Sequence, residues 1–336
     1  MGAVFVRDRP SVAIMVLLSV FVVVAMVRAA AMEPPAAAEL GSRPLQSVPE
    51  TGEPAMGEER RATQAAVRAI ANAYSDTIDR YERRDGDWAL RVDGRWFYWS
   101  EGRLLSENMR EFQDEFAAMR FYGYRIGKHQ PIEISEELEA AMREWAAKDN
   151  GESMWRSTGR NQEFYESLYG FDNVHDAERT VKSTTFFGRR TRVHPMVVDP
   201  LRAVERDIRA AMAQNAQVRR FVENIAVVSG FHWRDIFGSI TRSYHAYGTA
   251  IDLLPRSYDG FGYWRWAQQS GIQEWWAIPP DRRHSVPNDV VDAFERHGFV
   301  WGGKWIGFDP IHFEYRPEVI RYAESRLADA SLPALY

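Results

Sequence analysis

The ten residues Ser243-Tyr244-His245-Ala246-Tyr247-Gly248-Thr249-Ala250-Ile251-Asp252 set a histidine and an aspartate seven positions apart and carry the aspartate into the apolar run Ala250-Ile251-Asp252-Leu253-Leu254. A carboxylate in such a run is costly to bury unless it is hydrogen-bonded, paired with a cation or bound to a metal. An imidazole just upstream is what a zinc site uses. A third candidate ligand comes late, at His312 in Phe308-Asp309-Pro310-Ile311-His312-Phe313-Glu314-Tyr315.

Together these segments resemble the D-alanyl-D-alanine carboxypeptidase family of zinc peptidases, the VanY-type enzymes that share a core with lysostaphin-type peptidases and the Hedgehog signalling domain. The family pattern is SxHxxGxAxD, followed some tens of residues on by a histidine with an acidic residue three positions before it. The first element stands here as Ser243, His245, Gly248, Ala250 and Asp252, and the second as Asp309 and His312, continuing into HFEY. The resemblance covers roughly residues 190 to 320, and nothing comparable covers the first half.

The resemblance implies that His245, Asp252 and His312 hold a zinc ion with one position open for water, the arrangement of a catalytic site. Asp309 stands where the family has its acid/base residue, which takes the water's proton and passes it to the leaving amine. Many members carry glutamate there; aspartate is found in the branch resembling L-alanyl-D-glutamate endopeptidases. Relatives usually have an arginine in an SGYR-like turn before the first ligand, whereas Ser229-Gly230-Phe231-His232-Trp233-Arg234 puts histidine in that place. Arg234 or Arg242 is then expected to stabilise negative charge on the tetrahedral intermediate, with His232 as a third candidate and Arg192 beside His194 the next place to look. Ser243, His232 and Glu314 are expected to support the ligands by hydrogen bonding, and Ser243 is no nucleophile because no GxSxG element surrounds it.

The elements that must position these residues are legible in part. Ile225-Ala226-Val227-Val228 reads as a buried strand ended by Ser229-Gly230, and Ala250 to Leu254 as a second strand stopped by Pro255. The run Ile311 to Tyr315 alternates, with His312 and Glu314 on one face. Leu201 to Ala213 and a charged region from about Glu133 to Lys148 read as helices. Upstream, Ala66, Ile70, Ala73, Tyr74 and Ile78 suggest an amphipathic helix from about Arg61 to Arg83, and Trp88 to Val92 with Arg95 to Trp99 form a hairpin at Asp93-Gly94. The expected fold class is α+β: a small antiparallel sheet with flanking helices in the C-terminal half, preceded by a helix-plus-hairpin accessory region.

The whole chain sets the frame. Its 336 residues, 45% of them hydrophobic, suffice for about two domains. A net charge of -5 without a dense Lys/Arg block gives no nucleic-acid signature. The absence of cysteine excludes disulfides and thiolate chemistry, and HExxH, GxGxxG and the P-loop are missing. Arg7 and Arg9 precede an apolar run from Val12 to Val27, with Ala29-Ala30-Ala31 as a small-residue cleavage site. The organisation read from this is an export signal or membrane anchor over residues 1 to 31, a Pro-, Ala- and Glu-rich tether over 32 to 60, an accessory region over 61 to 189, a zinc peptidase domain over 190 to 325 and a tail over 326 to 336.

The expected function is hydrolysis of a peptide bond in peptidoglycan stem peptides by an exported, periplasmic or membrane-tethered enzyme that contacts membrane through its N-terminal segment alone. D-Ala-D-Ala carboxypeptidase activity comes first and L-alanyl-D-glutamate endopeptidase second. A non-hydrolytic metal-bearing binding module, as in Hedgehog-like relatives, and a structural cell-envelope protein working through its N-terminal half are the readings from other classes. His194 is read as lining the cleft, while His129, His175, His284 and His297 are read as solvated. The tryptophans between Trp264 and Trp305 are read as core.

Overall fold

The computed structural model describes residues 57–119, 123–131, 133–147, 159–236 and 240–333. The N-terminal apolar run, most of the tether and most of the polar stretch from Asp149 to Arg160 lie outside the described residues. Among the described residues no helix is long and apolar enough to cross a membrane.

Alanines and aliphatics at helical spacing build α1 (Glu58–Ala73), which buries Ala62, Ala66, Val67 and Ile70 and begins inside the stretch assigned to the tether. The expected continuation to Arg83 does not occur. The chain turns at Tyr74 and enters β1 (Ile78–Arg84), paired antiparallel with β2 (Asp87–Val92). A register shift between Ile78 and Arg80 explains the misreading: the extra residue lets Ile78 face Val92 and Tyr81 face Leu90, so a strand shows the three-residue apolar spacing of a helix. The predicted hairpin is present as β2 and β3 (Arg95–Ser100), within a four-stranded meander closed by β4 (Arg103–Leu105). Its connections Asp85-Gly86, Asp93-Gly94 and Glu101-Gly102 all have positive φ, as tight two-residue hairpins require.

Helices α2 (Glu136–Ala147), α3 (Gln162–Tyr169) and α4 (Val174–Thr180) lead to a hairpin of β5 (Lys182–Phe186) and β6 (Arg189–Val193), which straddles position 190. Helix α5 (Pro195–Gln214) starts earlier than expected because His194 caps it and Pro195 opens its first turn. It is followed by α6 (Ala216–Asn224), β7 (Ile225–Ser229), β8 (Ala250–Pro255), α7 (Trp264–Gln269), α8 (Asn288–Arg296), β9 (Phe299–Trp301), β10 (His312–Tyr315) and α9 (Pro317–Ala328), the last running past position 325. The second sheet has the antiparallel order β7-β8-β10-β9, which with its flanking helices makes the fold α+β. Strand β7 is buried only in part, with Val227 52% exposed, contrary to the fully buried strand expected.

Alternation along the central strands decides what each face carries. Ile251, Leu253 and Phe313 pack with Val197, Leu201, Val290 and Phe294 of α5 and α8, and the Phe313 and Phe294 rings stack at 3.8 Å. Ala250, Tyr244 and Tyr247 instead join the core built by α1, the meander and α3. The N-terminal elements therefore pack against this face of the sheet at Ala250, and α9 packs on α1.

Candidate metal centre

His245 lies on a single 3-10 turn, Tyr244–Tyr247. Ser243 caps that turn, its Oγ accepting from the His245 amide at 3.3 Å. Gly248 ends it with φ +70°, and a Cβ there would sit 2.7 Å from the His194 amide nitrogen, so a side chain at this position is excluded on both counts. The ring is aimed by its Nδ1–H, which donates to the Gly230 carbonyl at 2.7 Å and leaves Nε2 for a ligand. Gly230 passes so close to β6 that a Cβ would lie 2.2 Å from the Arg192 carbonyl oxygen.

Asp252 sits mid-sheet, opposite Ser229 on β7 and directly opposite His312 on β10. Its Oδ1 lies 3.2 Å from His245 Nε2 and 2.7 Å from His312 Nδ1, while the two ring nitrogens are 3.3 Å apart. A tetrahedral ion with bonds of about 2.0–2.1 Å has ligand edges of about 3.3 Å, so this donor set fits one. Among the described residues His245, Asp252 and His312 form the cluster able to hold a metal ion, and all three are buried. The second nitrogen of His312, Nε2, meets the Glu314 carboxylate at 3.1 Å, so each imidazole is oriented by a partner behind it.

The electrostatics favour a cation. Burial opposes charge on His312, but the hydrogen bonds to Asp252 and Glu314 and their charges outweigh it and raise its pKa to about 10. Burial likewise opposes ionisation of Asp252, yet His245 and His312 hold its carboxyl far below the usual range. Without metal, a proton on His312 Nδ1 occupies the place a metal would take.

Asp309 enters through a turn. The His312 amide donates to the Asp309 carbonyl at 3.0 Å, with Pro310 at the first corner, so the two residues are folded back toward one another as their separation demanded. The turn is clamped from behind: the Asp309 amide donates to Gly302 O at 3.0 Å, and Trp301 Nε1 donates to Pro310 O at 2.8 Å. Asp309 is 2% exposed.

The arginines part company here. Burial lowers the pKa of Arg234, while the charges of Asp252 and Asp309 act to raise it. Arg242 is engaged elsewhere: Nε donates to Asp235 Oδ1 at 2.7 Å and the guanidinium lies 4.1 Å from the Trp233 ring centre. His232 is exposed and contributes its amide, which donates to His245 O at 3.1 Å. Arg192 is exposed and stacks on Phe231 at 4.9 Å.

Tyr258 was not singled out in the sequence. Its ring meets Trp266 and His284 edge-on at 5.2 and 5.1 Å and fills the space left by Gly262. Burial, then the charges of Asp309 and Asp252, push its phenol up to about 12, so the hydroxyl stays protonated. The Ser-Tyr-Asp-Gly turn after β8 was the only signal available for it.

Other readings are corrected. His194 does not line the cleft: its Nδ1 caps α5 by accepting from the Met196 amide and its Nε2 donates to Tyr169 O at 3.0 Å. His284 is buried rather than solvated, with Nδ1 2.5 Å from Asp259. Trp264, Trp275, Trp276, Trp301 and Trp305 are buried, as expected of core.

Residues 238–315 match the family model described as D-alanyl-D-alanine carboxypeptidase, a segment that holds all three cluster residues and Asp309 but stops short of Arg234. Residues 66–121, spanning the end of α1 and the meander, match a model described as a domain of unknown function. No curated protein and no solved structure matches the chain. The resemblance carried by SxHxxGxAxD and the later Asp309 and His312 is thus borne out: the segment that holds them, residues 238–315, is similar to the D-alanyl-D-alanine carboxypeptidase family.

Proposed function

We propose that this protein is a zinc peptidase of the cell envelope that cleaves peptidoglycan stem peptides, with release of the terminal D-alanine from D-Ala-D-Ala as its first activity. The observation that carries this reading is the buried His245, Asp252 and His312 triangle with edges of 2.7 to 3.3 Å inside the family-matched segment. Bound there, Zn2+ would acidify a water and polarise the scissile carbonyl. Asp309, brought in by its Pro310 turn, accepts the proton of the attacking water and returns it to the departing amine. Arg234 offsets the negative charge that builds on the carbonyl oxygen. Ser243, Gly230 and Glu314 hold the two imidazoles at fixed angles.

Aspartate rather than glutamate at position 309 supports L-alanyl-D-glutamate endopeptidase activity as the second reading. The basic residues and apolar run at the N-terminus support an exported protein. Digestion of purified peptidoglycan with the zinc-loaded protein, with fragments identified by mass, tests the function. Free D-alanine is the expected product; internal stem cleavage selects the endopeptidase, and an undigested sacculus returns the site to a binding role.

A further inference from the structure

The polar chain behind the cluster does not end at Glu314. One oxygen of this fully buried carboxylate accepts from His312 Nε2, and the other lies 3.8 Å from Arg316 Nη1. Arg316, 4% exposed, donates from Nε to Glu318 Oε1. The second oxygen of Glu318 accepts from the Tyr74 hydroxyl at 2.7 Å, a contact between residues 244 positions apart. Tyr74 is the residue on which α1 ends, and it lies in the segment that matches the domain of unknown function. Arg316 is steadied on its flank by the ring of Tyr244, 4.9 Å away and adjacent in sequence to His245.

Tyr74 and Glu318 hold the Arg316 guanidinium, whose charge faces Glu314 Oε2 at 3.8 Å, an ion pair without a hydrogen bond. Glu314 in turn bonds the His312 ring at Nε2, and the rotation of that ring decides whether Nδ1 points at Asp252 and His245. Burial and the Glu318 charge raise the Tyr74 pKa, which keeps its hydroxyl a donor.

We propose that Arg316, Glu318 and Tyr74 are positioning residues of the metal centre, so that the N-terminal unit completes this centre through Tyr74. The proposal rests on the metal-site reading above. Such outer partners typically change metal affinity roughly 10- to 100-fold, and the effect should fade along the chain, from Arg316 to Tyr74.

The test uses full-length protein and zinc affinity measured by competition with a chromogenic chelator, alongside thermal unfolding of the metal-free forms. Arg316→Gln is expected to weaken zinc binding roughly 10- to 100-fold, and Tyr74→Phe, which keeps the ring and so the packing, a few-fold. In a Glu314→Gln background Tyr74→Phe should have no further effect on affinity, because its path to His312 is already cut. A merely structural tyrosine would instead lower the unfolding temperature without moving affinity, or act equally in both backgrounds, and either result overturns the relay. Wild-type protein that binds no zinc overturns the metal-site reading itself; wild type that binds zinc with an affinity indifferent to both variants overturns the relay alone.

Discussion

Asp309 and His312 are the two ends of one β-turn, the amide of the second donating to the carbonyl of the first at 3.0 Å. A three-residue spacing that an extended chain would stretch to roughly 10 Å is thus folded back on itself, bringing the two backbones close. The turn itself is pinned by Trp301 and Gly302 from the neighbouring strand and its following turn.

Asp309→Asn should keep metal and fold while turnover falls roughly 10²- to 10⁴-fold, since the amide retains the shape but cannot accept the water's proton. Zinc content and turnover measured on the same preparation check this. Wild-type turnover would leave Asp309 a turn residue only.

Trp301→Phe removes the donor to Pro310 O while keeping an aromatic ring in the core. Leaving that buried carbonyl unsatisfied should cost about 1–3 kcal/mol of stability. A small displacement of Asp309 should lower turnover by up to roughly 10²-fold at unchanged zinc content. Denaturant unfolding together with steady-state kinetics reads both effects.

The two arginines should separate sharply. Arg234→Ala is expected to lower turnover roughly 10²- to 10³-fold, whereas Arg242→Ala, which loses Asp235 and Trp233 contacts away from the cluster, should leave turnover near wild type. Comparable losses in both would move the oxyanion role to another group, with Tyr258 the next to examine.

Much of the site was legible because ligand chemistry and backbone geometry coincide in a short stretch. Ser243 caps, Gly248 turns and Asp252 enters a strand within ten residues, so one motif carries both structure and donors. The choice between Arg234 and Arg242 was open because it depends on which face of an irregular pairing points inward: Ser243 N bonds Arg234 O and Asp235 bridges Arg242. The Tyr74 to Glu318 bond had no sequence signal, since it depends on α1 lying against α9. Strand β1 was hidden by its bulge, which gave Ile78 and Tyr81 a helical spacing.

The metal-free protein should show a definite pH dependence. The His312 pKa is raised, so its contribution to stability is full below the ordinary histidine value of about 6.5 and is lost as pH rises toward about 10. Asp252 has the opposite sign, its contribution being lost as pH falls below the ordinary carboxylate range. Thermal unfolding of the chelated protein should therefore fall from pH 6.5 to 10, and zinc binding in that window should release protons, seen as a buffer-dependent heat. A flat profile with no proton release would contradict the pairing.

The most direct test is metal stoichiometry in the purified protein from about residue 57 onward, compared with its His245→Ala and His312→Ala variants. One zinc per wild-type chain, with stoichiometric metal lost in each variant that remains folded by circular dichroism, is the predicted result. Full zinc occupancy in either folded variant would contradict the assignment of His245, Asp252 and His312 as the metal centre.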